Sequence, residues 1–313
     1  MLQEEPPFRL DLSLELAHCC PLATPLCDRQ CAVGGHRALA SDYGSLLMSS
    51  GYIASAFGES VAGLRDFDRW FTLAWTDTSL RYRRTVLGPW WVTLSMGAMI
   101  GSVGLVFGTI FGTNLSAYMP FFATGIITWT LISSTILEGC AVFTQSAGLI
   151  KSTITPLITH VYRMMARQLI VFTHNLSLVA LVWLIFRWPI NLSILLVIPG
   201  IIIVVATLTG AVLTLGVLCT RFRDIQQIIG AALQLFFLLT PILWMPGSLR
   251  GKRTVIFMDF NPLYYLVDVV RGPILGHPPS LFELSMATGT ALVALLIGYT
   301  MFGKFSHRIA FWL

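Results

Sequence analysis

The sequence Arg81-Tyr82-Arg83-Arg84-Thr85-Val86-Leu87-Gly88-Pro89-Trp90-Trp91 ends a cluster of cations and leads through two tryptophans into an apolar run. Residues 92–111 carry no charged side chain, and about twenty apolar residues are enough to cross the bilayer core as an α-helix. Lys and Arg stay on the cytoplasmic side of a membrane, and Trp prefers the headgroup region. The stretch therefore predicts the first membrane crossing, its direction and its anchor.

The composition of the whole chain also indicates an integral membrane protein. Of its 313 residues, 55% are hydrophobic and 11% are charged, whereas soluble domains carry about 25% charged residues. The net charge of +5 is best explained by basic cytoplasmic segments, because no Lys/Arg block is longer than the pair Arg83-Arg84 and the basic residues cluster beside apolar runs. A nucleic-acid partner is therefore not expected.

Six charge-free runs are long enough to cross a bilayer. They cover about 90–111, 116–137, 168–186, 192–218, 225–246 and 284–303. Lys and Arg are most frequent before the first run and after the second, fourth and sixth runs, so the positive-inside rule places both termini in the cytoplasm. The fold class expected is an all-α membrane protein of six transmembrane helices.

An amphipathic helix is expected directly before the first crossing. Phe67, Trp70, Phe71, Ala74 and Trp75 are spaced i, i+3, i+4, i+7 and i+8, which places them on one helical face. An aromatic face opposite charged side chains suits a helix that lies in the headgroup plane. The alternative is an ordinary soluble packing helix.

The connection before the last crossing is too apolar for a simple linker. Residues 255–270 are mostly apolar, and Pro262 is placed to start a helix. We expect this segment to dip into the membrane from outside, where non-helical backbone needs cover from protein or water. Asp268 and Arg271 are three residues apart and are expected to pair on one helical face.

The first 47 residues differ from the rest of the chain and are expected to be a disordered tail, or upstream sequence preceding a true start at Met48. Residues 48–84 are then the lead-in and interface helix, and residues 85–313 the transmembrane domain. The tail contains metal-ligand side chains but no paired Cys-x-x-Cys motif; they are His18, Cys19, Cys20, Cys27, Cys31 and His36. Cys140 and Cys219 are expected to be small buried packing residues.

The chain shows no energy source of its own. A phosphate-binding loop requires Gly-x-x-x-x-Gly-Lys-Ser/Thr, and the nearest stretch, 247–253, is one residue short and lacks the hydroxyl. Ion-coupled carriers place ionisable groups inside the membrane, where only His174 lies well within a run, beside Asn175, and Glu138 lies at the end of one. The neighbouring His174 and Asn175 are more typical of hydrogen-bonded packing than of a proton relay. We expect no metal site or catalytic residue, and energy supplied by a partner.

The loop 144–167 is the expected contact for that partner. It carries recurring apolar side chains, and Pro156 interrupts its helix. A short amphipathic element of this kind can bind in a groove on another protein. An ordinary interfacial loop is the alternative.

In combination, these features resemble the type-2 ABC transporter permeases, most closely those that export lipid-linked polysaccharides such as O-antigen, capsule or teichoic-acid polymers. The resemblance rests on the interface helix, the Arg81–Trp91 stretch, Ala147-Gly-Leu-Ile-Lys151 followed by a proline and His160-Val-Tyr-Arg163, and Asn261-Pro-Leu-Tyr-Tyr265. It implies a homodimer in the bacterial inner membrane that works with two copies of a separate ABC ATPase subunit. ATP and Mg²⁺ belong to that subunit, so no cofactor is expected in this chain.

The resemblance also implies roles for particular residues. A coupling helix is implied by Gly148, Leu149, Ile150, Lys151, Pro156, Leu157, His160, Tyr162 and Arg163, and further ATPase contacts by Arg69, Trp70, Arg81, Arg83 and Arg84. An outer gate is implied around 261–271. The candidates for the channel or the gate are Trp129, Tyr118, Phe122, Asn261, Tyr264, Tyr265, Asp268 and Arg271. The aromatic residues are included because sugars stack on aromatic faces; for them, the membrane-interface belt is the alternative.

Two other functions are compatible with the sequence. The first is an exporter of the same architecture that carries a drug or a lipid. The second is a membrane-embedded acyl or glycosyl transferase, which predicts a cluster of His, Asp or Glu at one membrane face.

Overall fold

The computed structural model describes residues 56–83, 85–88, 90–110, 112, 114–153, 155–187, 191–245 and 260–313. The expectations for residues 1–47, for 247–253 and for Arg84 lie outside these ranges. Across the described ranges the chain is helical, and no β-strand occurs in them.

The helices follow one another along the chain with short connections. Helical residues 56–65 precede α1 (Phe67–Tyr82), α2 (Trp90–Ile110), α3 (Leu115–Cys140), α4 (Val142–Gln145), α5 (Ala147–Ser152), α6 (Leu157–Phe186), the 3₁₀ turn η1 (Leu192–Leu196), α7 (Val197–Arg221), α8 (Ile225–Leu239), α9 (Pro262–Ile274) and α10 (Leu281–Trp312). Five segments of the described chain are long and apolar enough to cross a membrane: α2, α3, α6, η1 with α7, and α10. Helix α8 is apolar but has only 15 residues.

Two helix boundaries differ from the sequence-based expectation for physical reasons. Helix α6 begins at Leu157 rather than near residue 168, because the charges of Arg163 and Arg167 are paired with carboxylates of other helices and so are accommodated within it. Helix α8 ends at Leu239 rather than near residue 246. Pro241 follows, and a proline both lacks an N–H group and disfavours helical backbone in the residue before it.

Helix α3 is the centre of the bundle and packs against α2, α6, α7, α8 and α9. Helix α8 and the residues after it run antiparallel along α3. At one end of α3, Leu137 approaches Gly230 of α8; further along, the rings of Trp129 and Phe237 are 5.7 Å apart. At the other end of α3, the Tyr118 hydroxyl donates a hydrogen bond to the carbonyl of residue 243.

Close helix contacts depend on glycine. A Cβ atom on Gly210 of α7 would overlap the backbone of α10, and a Cβ atom on Gly298 of α10 would overlap the backbone of Gly210. Two glycines of α2 also lie at close contacts: Gly104 faces Met119 and Gly108 faces Leu115, both on α3. Small residues allow helix backbones in a membrane to approach closely.

The bundle has two ends, the α1 end and the α9 end. The α1 end contains α1, the C-termini of α3, α7 and α10, and α4, α5 and the first turns of α6; there Arg221 of α7 lies over the Trp312 ring of α10. The α9 end contains α9, the N-termini of α3, α7 and α10, and residues 240–245; there Gly200 of α7 lies against Val269 of α9. Cys140 and Cys219 are buried free thiols, as expected.

Candidate functional sites

Ion pairs connect three helices at the α1 end. Arg163 of α6 binds Asp77 of α1 through two hydrogen bonds, with Nε–Oδ2 at 2.6 Å and Nη2–Oδ1 at 2.5 Å. One turn further along α6, Arg167 contacts Asp77 at 3.3 Å and Glu138 of α3 at 2.5 Å. Arg81 of α1 reaches Glu138 at 3.8 Å. Bidentate, partly desolvated pairs of this kind are stronger than exposed ones, so the network fixes α1 to α6 and α3.

Helix α1 packs against the bundle through only part of its surface. Ala74 and Thr78 are buried, and the Trp70 ring lies 5.9 Å from the Tyr162 ring of α6. The Tyr162 hydroxyl in turn donates a hydrogen bond to the Ser60 carbonyl. The remaining aromatic residues of the expected face stay exposed on the outside of the bundle; they are Phe67, Phe71 and Trp75.

The residues implied in coupling separate into an exposed tip and a packed base. Helix α5, which forms the tip, contains no buried residue. Gly148 and Lys151 are exposed, and an ideal Cβ on Gly148 meets no atom within 4 Å. Leu149, Ile150, Pro156 and Leu157 are half-buried. The tip therefore presents a surface that another protein can reach.

The base of the loop contacts this chain itself. His160 is only 1% exposed, and Tyr162 and Arg163 hold α1 through the contacts described above. On α1, Arg69 is exposed and pairs with Asp66 at 3.3 Å. Arg81 and Arg83 are also exposed. Another protein can therefore reach all three arginines, although Arg69 and Arg81 also contact carboxylates of this chain.

At the α9 end, three side chains bind the non-helical residues that follow α8. Arg271 of α9 donates to the Pro241 carbonyl at 2.7 Å, and Tyr118 of α3 donates to the Leu243 carbonyl at 2.6 Å. The Asn261 amide donates to the Thr240 hydroxyl at 2.9 Å. Backbone groups that leave a helix inside a membrane must find such partners, since no water is available there.

Arg271 is the largest of the fully buried side chains in the part of the chain that the structure describes, with 2% of its surface exposed. Its guanidinium pairs with Asp268, with Nη2–Oδ1 at 2.6 Å, which confirms the pair expected from the sequence. The guanidinium carbon also lies 4.2 Å from the centroid of the Phe121 ring, a cation–π distance. The Arg271 guanidinium is therefore ion-paired, hydrogen-bonded and stacked on an aromatic ring at the same time.

The other gate and channel candidates lie in the packed interior. Asn261 caps α9 by accepting the Leu263 N–H at 3.0 Å. Tyr118 and Phe122 stack on each other on α3, with ring centroids 6.0 Å apart. Trp129 and Tyr265 are buried, and Tyr264 is half-buried beside Tyr265.

Sequence reasoning did not identify Asp77, Glu138 and Arg167 as members of one site. A signal was present, because Asp77 and Arg81 are four residues apart, as are Arg163 and Arg167, so each pair shares a helical face. His174, expected from the sequence to be a packing residue rather than a proton relay, is in packed surroundings. Its Nδ1 atom is bonded to the Ile170 carbonyl at 2.8 Å, and its ring packs against Trp90 at 5.8 Å.

The ABC-2 type transporter family matches residues 68–275, which is more than half of the chain. The chain belongs to this family. The match begins in α1 and ends after α9, so it includes both the ion-pair network and the buried arginine. A family member of this kind is a membrane subunit of a transporter and not an enzyme itself.

Three characterised relatives are similar over most of their length. Two proteins of Klebsiella pneumoniae named O-antigen export system permease protein RfbA are each 22% identical over 245 residues, which is 78% of this chain and 94% of the relative. A protein of the same name from Myxococcus xanthus is 22% identical over 228 residues, or 72% of this chain and 87% of the relative.

The transferase alternative predicted His, Asp or Glu clustered at one membrane face. Asp77, Glu138 and His160 do come together at the α1 end, but both carboxylates are bound by arginines. The family assignment shows instead that the chain is part of a transporter.

Proposed function

We propose that this chain is the permease subunit of an ABC exporter that moves a lipid-linked polysaccharide of the O-antigen type across the bacterial inner membrane. The observation that carries the proposal is the similarity to O-antigen export permeases, which extends over 78% of this chain and 94% of the first relative. A match that spans nearly the whole relative includes its membrane helices and its loops together.

The proposed architecture has six crossings, the fifth formed by α8 and residues 240–243. The fifth crossing is supported by the antiparallel course of α8 and the residues after it along α3, from the Leu137–Gly230 contact to the Tyr118–Leu243 hydrogen bond. At 1.5 Å per residue, that length of α3 is about 28 Å, close to the thickness of the hydrocarbon core. Arg271, Tyr118 and Asn261 hydrogen-bond the non-helical residues after α8. The 15-residue helix α8 can therefore serve as part of a full crossing.

In the proposed orientation the α1 end faces the cytoplasm, as do both termini. The support is the distribution of Lys and Arg along the chain. The exposed rings of Phe67, Phe71 and Trp75 then fit a helix α1 that lies in the cytoplasmic headgroup region. Helix α9 would lie at the outer side as a segment dipping into the membrane, with the 261–271 region as the outer gate.

Two copies of the chain are proposed to form a homodimer that binds two copies of an ABC ATPase subunit. The proposed docking surface is formed by the exposed α5 tip, with Gly148 and Lys151, and by the accessible cations Arg69 and Arg81 of α1 and Arg83 directly after it. Movement of α6 would pass to α1 and α3 through Arg163 and Arg167, because these two arginines of α6 pair with carboxylates of both helices.

Deletion of the gene and affinity purification together test the proposed function. We expect the deletion strain to lose its surface polysaccharide and to accumulate lipid-linked polymer in the cytoplasm, and the tagged chain to co-purify with an ATPase subunit. Normal surface polymer in the deletion strain would contradict the proposal. Accumulation of a different cargo would instead identify a drug or lipid exporter of the same family.

A further inference from the structure

A cavity of about 650 Å³ lies at the α1 end between α1, α4, α5 and α6. Its polar lining is provided by Asp77, Arg81, Gln145, Ser146, His160, Arg163 and Arg167. The volume falls within the range of about 300–1,000 Å³ that is typical of small-ligand sites. It is much larger than one inserted side chain needs.

The charge in and around this cavity is positive. Three arginines line it, Arg81, Arg163 and Arg167, whereas Asp77 is its one acidic lining residue. Glu138 binds Arg167 from the α3 side and reaches Arg81 only at 3.8 Å. Arg81 is 52% exposed and is therefore the arginine least committed to the network. Clustered arginines with planar, multiple N–H donors are the side chains that recognise phosphate.

His160 provides an independent indication of a ligand. It lines the cavity, is 1% exposed, and neither of its ring nitrogens has a hydrogen-bond partner among the described residues. The Nε atom of Arg167 is likewise buried without a partner in that part of the chain. Buried polar groups are ordinarily hydrogen-bonded, because an unpaired one costs free energy. An oxyanion in the cavity would accept from both groups.

We propose that this cavity binds a phosphate group carried by a lipid. Arg81, His160 and Arg167 supply the donors, and the apolar wall formed by Leu80, Val142, Leu149 and Met164 suits the first carbons of the lipid. The cavity adjoins α1, whose exposed aromatic rings we place at the headgroup level. That the lipid belongs to the exported polymer rests on the proposed function; the phosphate site itself does not.

Binding to the purified chain in dodecyl maltoside, a detergent that carries no phosphate, tests the site without any export assay. The probes are lysophosphatidic acid, inorganic pyrophosphate and the uncharged lipid monoacylglycerol. We expect lysophosphatidic acid to bind with a measurable Kd and Arg81→Gln to weaken it about tenfold, the effect of losing one charge-assisted hydrogen bond. The control Arg223→Gln, an exposed arginine outside the cavity, should leave the Kd unchanged.

The probes also distinguish the source of the phosphate. Tighter binding of lysophosphatidic acid than of pyrophosphate supports a lipid-borne phosphate. Equal affinity for the two overturns the lipid part of the proposal and leaves a site for free anions. Equal binding of monoacylglycerol overturns the phosphate part.

A second variant and the ATPase partner complete the test. His160→Ala should also weaken lysophosphatidic acid while the protein remains monodisperse in detergent. If Arg81→Gln and His160→Ala both bind the lipid as the unmodified chain does, the proposal is wrong. If no probe binds but Arg81→Gln weakens ATPase binding, the cavity is a protein-docking pocket and the proposal is also wrong.

Discussion

The two ends of the molecule both bury arginine, but the arginines satisfy different partners. At the α1 end, Arg163 and Arg167 bind carboxylates from two other helices, and their side chains keep 21% and 14% of their surface exposed. At the α9 end, Arg271 binds one carboxylate of its own helix and a backbone carbonyl of another segment, with 2% exposed. The first arrangement joins helices through charge, and the second completes a broken helix.

This difference indicates what each end tolerates. Ion pairs near a bundle end can exchange partners with water or with a bound protein, so they are suited to an element that moves. A buried arginine that satisfies both a carboxylate and a backbone carbonyl has no such replacement in a membrane. We therefore expect the α9 end to be the more sensitive to substitution.

The largest expected effect is that of Arg271→Met. The change leaves Asp268 and the Pro241 carbonyl without their donor in a buried site, and breaking a buried pair costs about 3–5 kcal/mol. Thermal unfolding of the purified chain in detergent measures the loss. The matched control is Arg187→Met, an exposed arginine at the same end. A midpoint equal to that of the control would contradict the role of Arg271.

Asp77→Asn should have the next largest effect. Arg163 and Arg167 lose a shared carboxylate that is 22% exposed, and an unpaired, partly buried group costs about 1–3 kcal/mol. The control is Asp66→Asn in the exposed pair with Arg69, worth under about 1 kcal/mol. If both variants unfold at the same temperature, the ion-pair network contributes nothing beyond an ordinary surface pair.

Tyr118→Phe removes only the hydroxyl oxygen of a side chain at the α9 end. The variant removes the hydrogen bond to the Leu243 carbonyl and preserves the ring stacked on Phe122. We expect a loss of about 1 kcal/mol, measured by the same unfolding assay. A loss exceeding that of Arg271→Met would reverse the order of importance within this end.

Gly148→Trp should have the smallest effect on stability and a large effect on assembly. The open space around this residue admits a large ring without strain within the chain, but the ring would obstruct a docked ATPase. We expect an unchanged unfolding midpoint and little ATPase recovered on co-purification. Gly148→Ala is the matched control and should retain the ATPase; equal recovery with Trp would exclude the α5 tip as the docking surface.

Local patterns in the sequence predicted the parts of the fold that local physics determines. Apolar length identified the five long spans, the position of Pro262 predicted the start of α9, and the three-residue spacing predicted the Asp268–Arg271 pair. Each of these depends on residues close together in the chain.

The remaining features depend on contacts between distant residues. The end of α8 is fixed in part by Arg271, which lies 30 residues after the carbonyl that it binds. The helical placement of Arg163 depends on Asp77, which lies 86 residues before it. Gly210 and Gly298 likewise face each other across two helices. One sequence shows the residue types at such positions but not which of them meet.

Photo-crosslinking from both ends of the molecule shows which end contacts the ATPase. A photoreactive benzoylphenylalanine replaces either Lys151 at the α5 tip or Phe260 at the α9 end, both of which are exposed, in cells that express the ATPase partner. We expect an adduct with the ATPase from position 151 and none from position 260. An adduct from position 260, or active export with no adduct from position 151, would contradict a permease driven at its α1 end by a separate ATPase.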